Sequence, residues 1–169
     1  MLRYVSDAVA RDPSPELVLT PIQGKSRTVE QLLTTFHLLL VAIDPFTNQS
    51  AWILETAGRI LQTFEQADCR IGWLVTANAE ECRQFLGPWA TEMMTFADPD
   101  RIAVKEFGLE RLPALVHLGM EGKVVAAEGW HPAEWKAVTD HLAKVLSWKG
   151  PNFPTSKDPG PFEGSPALG

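Results

Sequence analysis

The stretch that most constrains the fold runs from Leu38 to Ala51 and reads LLLVAIDPFTNQSA. Leu38–Ile43 is wholly apolar without alternation, which is typical of a central parallel strand covered on both faces. Asp44-Pro45 ends this run, and Ser50–Gln66 then repeats apolar residues at helical spacing. A buried strand that turns directly into an amphipathic helix is the first half of a βαβ unit, so the sequence predicts an α/β fold.

The rest of the chain continues this alternation of strands and helices. A second buried strand is predicted at Arg70–Thr76 and a third at Met93–Phe96. The predicted helices and their caps are a short helix Val29–Phe36 with the capping-box spacing of Thr28 and Gln31, a helix through Leu86 capped by Asn78 with Glu81, and a helix Asp100–Phe107 capped by Asp98. A hairpin of Ala114–Leu118 with Lys123–Glu128 and a last helix from Pro132 close the pattern. This order predicts a right-handed βαβ sheet with antiparallel edge strands. The 169 residues are about one domain's length.

The two ends of the chain differ in composition from its middle. Residues 1–15 show little periodicity and are predicted to form a loose leader, which leaves residues 16–149 as the domain. Residues 150–169 hold five prolines and four glycines, a composition that cannot form a core of its own and predicts a disordered tail. If this tail is a docking peptide rather than an end without a role, Phe153 and Phe162 would be its anchors.

Composition argues against several classes of partner. The net charge is −6, whereas nucleic acids and anionic membranes attract an excess of Lys and Arg. The longest fully apolar run, Leu38–Ile43, is far shorter than the ~20 residues of a membrane-spanning helix. The charged N-terminal stretch lacks the apolar segment of a signal peptide, so we expect a cytoplasmic protein.

The spacing of cysteines and histidines predicts neither a disulfide nor a metal site. Cys69 and Cys82 are not a CxxC pair, and the strand and helix lengths between them place them too far apart for a bridge. Two separate reduced thiols are therefore expected. The four histidines share no metal-ligand spacing with one another or with the cysteines, so we expect no metal and no cofactor.

Three local motifs resemble the thioredoxin fold, in particular its peroxiredoxin and thiol-disulfide reductase branch. They are a hairpin with a Gly-Lys turn at Leu17–Leu33, an Ala-Asp-Pro-Asp stretch leading to a Phe-Gly helix end at Ala97–Gly108, and Arg111–Val116 before a hairpin. The resemblance implies a three-layer α/β/α sandwich whose central mixed sheet is completed by a C-terminal β-hairpin and helix. It also implies that Pro113 is cis and faces the active site, where the backbone at Leu112 would pair with an extended substrate segment.

The resemblance breaks at the turn after the first buried strand. One register places Asn48 and Ala51 where the family has the two cysteines of CxxC, and a peroxiredoxin register places Ser50 at the peroxidatic position, three residues after Thr47. Neither register gives a thiol, and thiol-disulfide exchange requires an attacking thiolate. Ser50 has no histidine nearby in sequence to act as its base, so helix capping is the simpler role for Thr47, Asn48 and Ser50.

Three functions are compatible with the sequence. The first is a redox-inactive, protein-binding or chaperone-like accessory module, whose partner is another protein or an extended peptide. An exposed tryptophan is a common interface anchor, and the predicted site is the degenerate active-site face: Thr47, Asn48, Ser50, Ala51, Trp52, Leu112 and Pro113. The second is a divergent thiol-dependent peroxidase or disulfide reductase that uses Cys82 or Cys69. The third is a structural subunit docked into a larger assembly through its C-terminal tail.

Overall fold

The structure, a computed structural model, describes residues 10–169. Within this range the elements in chain order are β1 (Val18–Leu19), β2 (Arg27–Thr28), α1 (Val29–Leu32), β3 (His37–Ile43), α2 (Asn48–Gln62), β4 (Cys69–Val75), α3 (Ala79–Leu86), α4 (Trp89–Glu92), β5 (Met94–Ala97), α5 (Ile102–Glu106), β6 (Arg111–Leu112), β7 (Ala114–Leu118), β8 (Val124–Glu128), α6 (Pro132–Leu146) and β9 (Ser165–Pro166). A mixed five-stranded sheet is the centre of the fold, and its strand order is β5-β4-β3-β7-β8.

The uninterrupted apolar strand β3 lies at the middle of the sheet, as its sequence predicts. It pairs in parallel with β4, from His37 opposite Cys69 to Ile43 opposite Val75, and β4 pairs in parallel with β5. On its other side β3 pairs antiparallel with β7, which forms a hairpin with β8. The predicted combination of parallel central strands and an antiparallel C-terminal hairpin is confirmed.

Helices cover both faces of this sheet and make the three-layer sandwich that the resemblance implies. Helices α2, α3 and α6 pack on the face that includes Val41 and Ile43. The β1–β2 hairpin, α1 and α5 pack on the opposite face with Leu38 and Leu40. Because β3 supplies alternate side chains to two buried layers, every residue from Leu38 to Ile43 must be apolar.

Two helix starts are confirmed down to their hydrogen bonds. Thr28 with Gln31, and Asn78 with Glu81, form the reciprocal capping boxes that the sequence spacing predicts. The helix after Thr28 is shorter than predicted, since α1 ends at Leu32.

Helix α5 begins two residues later than the predicted start at Asp100 because Arg101 has a left-handed backbone, with φ of 59°. Positive φ is uncommon for a residue with a side chain. Asp98 still caps the helix as predicted, since its carboxylate oxygens accept hydrogen bonds from the N–H groups of Ala103 at 3.1 Å and Val104 at 3.0 Å. The helix is therefore capped by Asp98, three residues before the left-handed Arg101, and the Arg101 side chain makes its contacts elsewhere.

Residues Arg11 and Asp12 of the N-terminal segment contact the domain. The Arg11 N–H donates to the carbonyl of Phe107 at 2.9 Å, and the Asp12 carboxylate accepts from the N–H of Val124 at 2.8 Å. The remainder of the predicted leader, residues 1–9, lies outside the described residues. No helix among residues 10–169 combines the length and the apolar character needed to cross a membrane.

The prediction of a disordered C-terminal tail is wrong, because residues 150–169 pack along the domain. Phe153 is only 2% exposed and stacks on Trp130 with ring centroids 6.1 Å apart. Further along, β9 pairs antiparallel with β6, with Arg111 opposite Pro166 and Leu112 opposite Ser165. Proline and glycine prevent this segment from forming a core of its own, but they do not prevent it from ordering on a surface that the domain supplies.

Candidate functional site

The turn between β3 and α2 is held together by its own polar groups. The carboxylate of Asp44, which is buried, accepts a hydrogen bond from the N–H of Phe46 at 2.9 Å. The Asp44 carbonyl accepts from both the Ser50 hydroxyl and the Thr47 hydroxyl, and these two hydroxyl oxygens are 2.8 Å apart. Ser50 is 2% exposed, so its oxygen is committed to the turn and is not presented to a substrate.

The capping role predicted for Thr47 and Ser50 is therefore only partly right. Thr47 is the N-cap residue of α2 by position, but its side chain makes no capping hydrogen bond. The two hydroxyls instead hold the carbonyl of Asp44, which fixes the turn rather than the helix end. Asn48 and Ala51, at the two CxxC positions, are both exposed.

Arg101 connects this turn to the C-terminal tail. One end of its guanidinium donates to the Asp44 carboxylate at 2.9 Å, and the other donates to the carbonyl of Ala167 at 2.6 Å. Its left-handed backbone lies immediately before α5. Neither Asp44 nor Arg101 is predicted as a site residue from the sequence, since the two lie far apart in the chain and no local pattern indicates their contact.

The strand β6 lies beside this network and leads into Pro113. The peptide bond between Leu112 and Pro113 is cis, and both residues are buried. On one side of β6 the Glu128 carboxylate accepts hydrogen bonds from the N–H groups of Glu110 at 2.7 Å and Arg111 at 2.8 Å. Burial raises the pKa of Glu128, although these two hydrogen bonds oppose the effect.

On its other side β6 is covered by the chain's own tail. Besides the two-residue β6–β9 pairing, the Ala167 N–H donates to the carbonyl of Glu110 at 2.8 Å. The Arg111 guanidinium donates to the carbonyl of Gly164 at 3.0 Å. The face that would pair with a substrate segment in the thioredoxin fold is thus occupied by residues 164–167.

Two further contacts carry the tail across α2 before it reaches β6. Phe162 exchanges two backbone hydrogen bonds with Trp130, at 2.8 and 3.0 Å, and its ring meets the edge of Trp52 with centroids 6.0 Å apart. The Asp158 carboxylate accepts from the hydroxyl of Thr56 at 2.7 Å and from the guanidinium of Arg59 at 2.7 Å. Burial alone would raise the pKa of Asp158, but these donors outweigh it and the pKa is lowered.

The residues predicted as a site are therefore brought to one face, but they differ in access. Thr47 and Ser50 form the turn, while Leu112 and Pro113 lie buried beside the tail. Trp52 is 58% exposed. Three further large apolar side chains lie within two positions in sequence of Asp44, Arg101 or Ala167 and are exposed: Phe46 64%, Ile102 59% and Leu168 56%. We call these three side chains and that of Trp52 the apolar rim.

Neither cysteine belongs to this face in a reactive form. Cys69 opens β4 opposite His37, at the end of the sheet away from the turn, so about 20 Å of strand separates it from the level of Ile43. Cys82 is fully buried in α3, and its thiol points to the carbonyl of Ala77 at 3.6 Å. Burial raises the pKa of Cys69 to about 12 and that of Cys82 to about 11, which keeps both as neutral thiols at neutral pH.

Comparison with known proteins identifies the architecture. A protein assigned as the thiol:disulfide interchange protein DsbE of Chlorobium tepidum superposes with a TM-score of 0.66 at 15% identity, covering 81% of this chain and 97% of that one. The fold is thioredoxin-like. A PrxQ from Xylella fastidiosa gives a TM-score of 0.63 at 17% identity, covering 81% and 96% of the two chains. An exposed lipoprotein thioredoxin, Etrx1 of Streptococcus pneumoniae, gives 0.57 at 14% identity, covering 77% and 96%. No family model and no curated protein matches the sequence.

The chain combines a thioredoxin-like scaffold with cysteines that lie elsewhere than in the turn before α2. The chain has the scaffold of disulfide oxidoreductases and a peroxiredoxin, while its two cysteines are not a CxxC pair and neither lies in the turn before α2. Among residues 10–169, no group of three or more His, Cys, Asp or Glu side chains is arranged to hold a metal ion. What the face offers to a partner in this state is exposed apolar surface, because Glu128 and the tail already take up the hydrogen-bonding groups of β6.

Proposed function

We propose that this thioredoxin-like protein is a redox-inactive binding module that recognises another protein through the apolar rim. The observation that carries the proposal is the pairing of a turn whose hydroxyls are consumed internally with a rim of four exposed apolar side chains. Exposed apolar side chains that cluster on one face are typical of protein-binding surfaces. Large aromatic residues such as Trp52 are the usual anchors at such surfaces.

A thiol-dependent enzyme is the alternative that the similar structures suggest, but the position and burial of the two thiols in this chain argue against it. A reactive cysteine needs an accessible thiolate, often at a helix N-terminus. Here the residues at that position are Asn48, Ser50 and Ala51, and both cysteines are buried with raised pKa values. The third possibility, a structural subunit docked by its tail, cannot use Phe153 as an anchor while that side chain stays buried in its own domain, where it is 2% exposed.

Site-specific crosslinking tests the proposed function. A photo-crosslinking amino acid is placed at Phe46 in the rim and, as the matched control, at Met120, which is 51% exposed in the turn between β7 and β8. Because β7 runs antiparallel to β3, this control lies at the opposite end of the sheet. We expect a discrete crosslinked protein from position 46 and none from position 120. Equal crosslinking from both positions would contradict a specific rim.

A second measurement separates binding from redox chemistry. The variant with Cys69→Ala and Cys82→Ala is crosslinked from position 46 and is assayed for reduction of peroxide and of a disulfide substrate. We expect the crosslink to persist and the wild-type protein to show no turnover above the uncatalysed rate. Turnover that disappears in the double variant would establish the enzyme instead. The cytoplasmic location stays a prediction from the sequence, and fractionation of cells that express the protein tests it.

A further inference from the structure

We infer that residues 162–169 are an intramolecular ligand of a peptide-binding groove along β6. When residues 162–169 detach, the groove accepts an extended segment of similar sequence from another chain. The segment it accepts has a glycine beside the carbonyl of Leu112 and a small apolar residue three positions later. This inference rests on the proposed function, because it concerns the regulation of the same face. It adds a partner chemistry and a closed state that the rim alone does not specify.

The glycine requirement follows from the packing around Gly164. Its φ is +86°, a conformation that residues with side chains rarely adopt, and a Cβ placed on it would overlap the carbonyl oxygen of Leu112. The opposite wall has the same character, since a Cβ placed on Gly129, whose φ is +71°, would lie 2.6 Å from the carbonyl oxygen of Glu163. The tail and the wall beside β6 therefore approach backbone to backbone, with no room for a side chain.

The small apolar residue is required at Ala167. This side chain is 1% exposed and belongs to the buried cluster that includes Val104 and Leu112. Its backbone is held at both ends, by the Glu110 carbonyl at 2.8 Å and the Arg101 guanidinium at 2.6 Å. A small pocket with fixed backbone contacts on both sides selects for side-chain size, in the way that alternate side-chain pockets give specificity in strand addition.

The terminal part of the tail and its base are held by separate sets of contacts. The base is fixed by buried Phe153 and by Asp158, whose carboxylate makes the ionic contact with Arg59. The terminal part is held by backbone hydrogen bonds to Trp130, Glu110 and the two paired residues of β6, while the hydroxyl of Ser165 is buried with no hydrogen-bond partner among residues 10–169. The side chains that fix the base take no part in these contacts, so residues 153–158 would stay in place when the contacts of residues 162–169 are lost.

Because residues 162–169 are joined covalently to the base of the tail, they compete strongly with any free peptide for the groove. A segment tethered through a short connection has an effective concentration in the millimolar range. A free peptide at micromolar concentration therefore cannot displace the intact tail, although it can bind when the tail's own contacts are impaired. This difference gives a direct test.

The test uses the full-length protein and a fluorescein-labelled peptide with the sequence of residues 160–169, GPFEGSPALG. Binding is measured by fluorescence anisotropy to the wild type, to Gly164→Ala and to the matched control Gly160→Ala, whose added Cβ would meet nothing within 4 Å. We expect Gly164→Ala to bind the peptide at least tenfold more tightly than the wild type or the control. The peptide carrying the same Gly164→Ala change should not bind any of the three proteins.

Hydrogen exchange and a second variant keep the outcome decisive. In Gly164→Ala the N–H groups of Phe162 and Ala167 should exchange faster than in the wild type. Ala167→Asp, which puts a charge into the small pocket, should open the groove independently and give the same gain in peptide affinity. An opened tail without peptide binding in both variants, or equal peptide affinity in the wild type and the variants, would overturn the inference.

Crosslinking from Phe46 in the same variants distinguishes this inference from the proposed function. If the rim crosslink persists while the peptide fails to bind, the groove inference is wrong and the binding module stands. If the peptide binds the opened variants but the rim captures nothing, the groove exists and the rim proposal is wrong.

Discussion

Lowering the pH from 8 to 5 is expected to destabilise the protein through one buried imidazole, that of His117. This side chain lies in β7 and the residue is only 4% exposed. Its Nε2 is 2.9 Å from Nδ1 of His37, its ring centroid is 5.9 Å from that of His141, and its Nδ1 has no hydrogen-bond partner among residues 10–169. Burial, together with the neighbouring imidazoles, lowers the pKa of His117 from 6.5 to about 4.

The size of the effect follows from proton linkage. Between pH 6.5 and about 4 the imidazole is protonated in the unfolded chain but neutral in the folded one. The unfolded state therefore binds more protons, and the free energy of unfolding decreases as the pH is lowered. A pKa lowered from 6.5 to about 4 amounts to about 3 kcal/mol once both states are protonated. Between pH 8 and pH 5 the loss is about 2 kcal/mol, most of it below pH 6.5.

Urea unfolding followed by tryptophan fluorescence at a series of pH values measures this loss. The variant His117→Gln keeps a polar atom near His37 but cannot take up a proton, so its curve should lose about 2 kcal/mol less than the wild type between pH 8 and pH 5. The same change at exposed His141 is the control and should keep most of the pH dependence, since burial is the largest cause of the shift. Parallel curves for the wild type and His117→Gln would refute the reasoning.

Three further predictions concern the tail and the thiols. Asp158→Asn removes the charge that Arg59 and Thr56 hold, and should speed amide exchange at the base of the tail by an amount equivalent to about 1–2 kcal/mol; unchanged exchange would show that this contact does not anchor it. Native Cys69 and Cys82 should react with a colorimetric disulfide reagent at pH 8 only as fast as the protein unfolds, because burial raises the pKa of both thiols; a fast phase in the native protein would contradict this. Ser165→Ala removes a buried hydroxyl without a partner among the described residues, so the free energy of unfolding should stay unchanged or rise by up to about 1 kcal/mol. The melting temperature should accordingly stay the same or increase; a clear decrease would reveal a partner for that hydroxyl.

The layered core could be predicted because its signals are local. The apolar run at Leu38–Ile43 permits one placement only, a strand covered on both faces, and the capping spacings at Thr28 and Asn78 act within a single helical turn. Asp98 was found for the same reason. Each of these features depends on residues close together in the chain, and the structure reproduces them.

The candidate site could be predicted only in part, because its decisive contacts are distant in sequence. Arg101 joins Asp44 to Ala167, and no local pattern reports a contact of this kind. The composition of residues 150–169 correctly excludes an independent core, but it carries no information about a surface elsewhere on which the segment can order. The apolar residues Phe153 and Phe162, placed within a polar and proline-rich stretch, were the available signal for intramolecular packing.

The two-residue pairing of β9 with β6 also bears on how copies of this chain behave towards one another. A short strand with a free hydrogen-bonding side is a template on which another chain can add a strand, which leads to domain swapping or aggregation. Here the C-terminal segment occupies that side at Arg111 and Leu112. Any change that releases the segment, including the variants described above, exposes this side of β6. Self-association of the protein should then increase with its concentration.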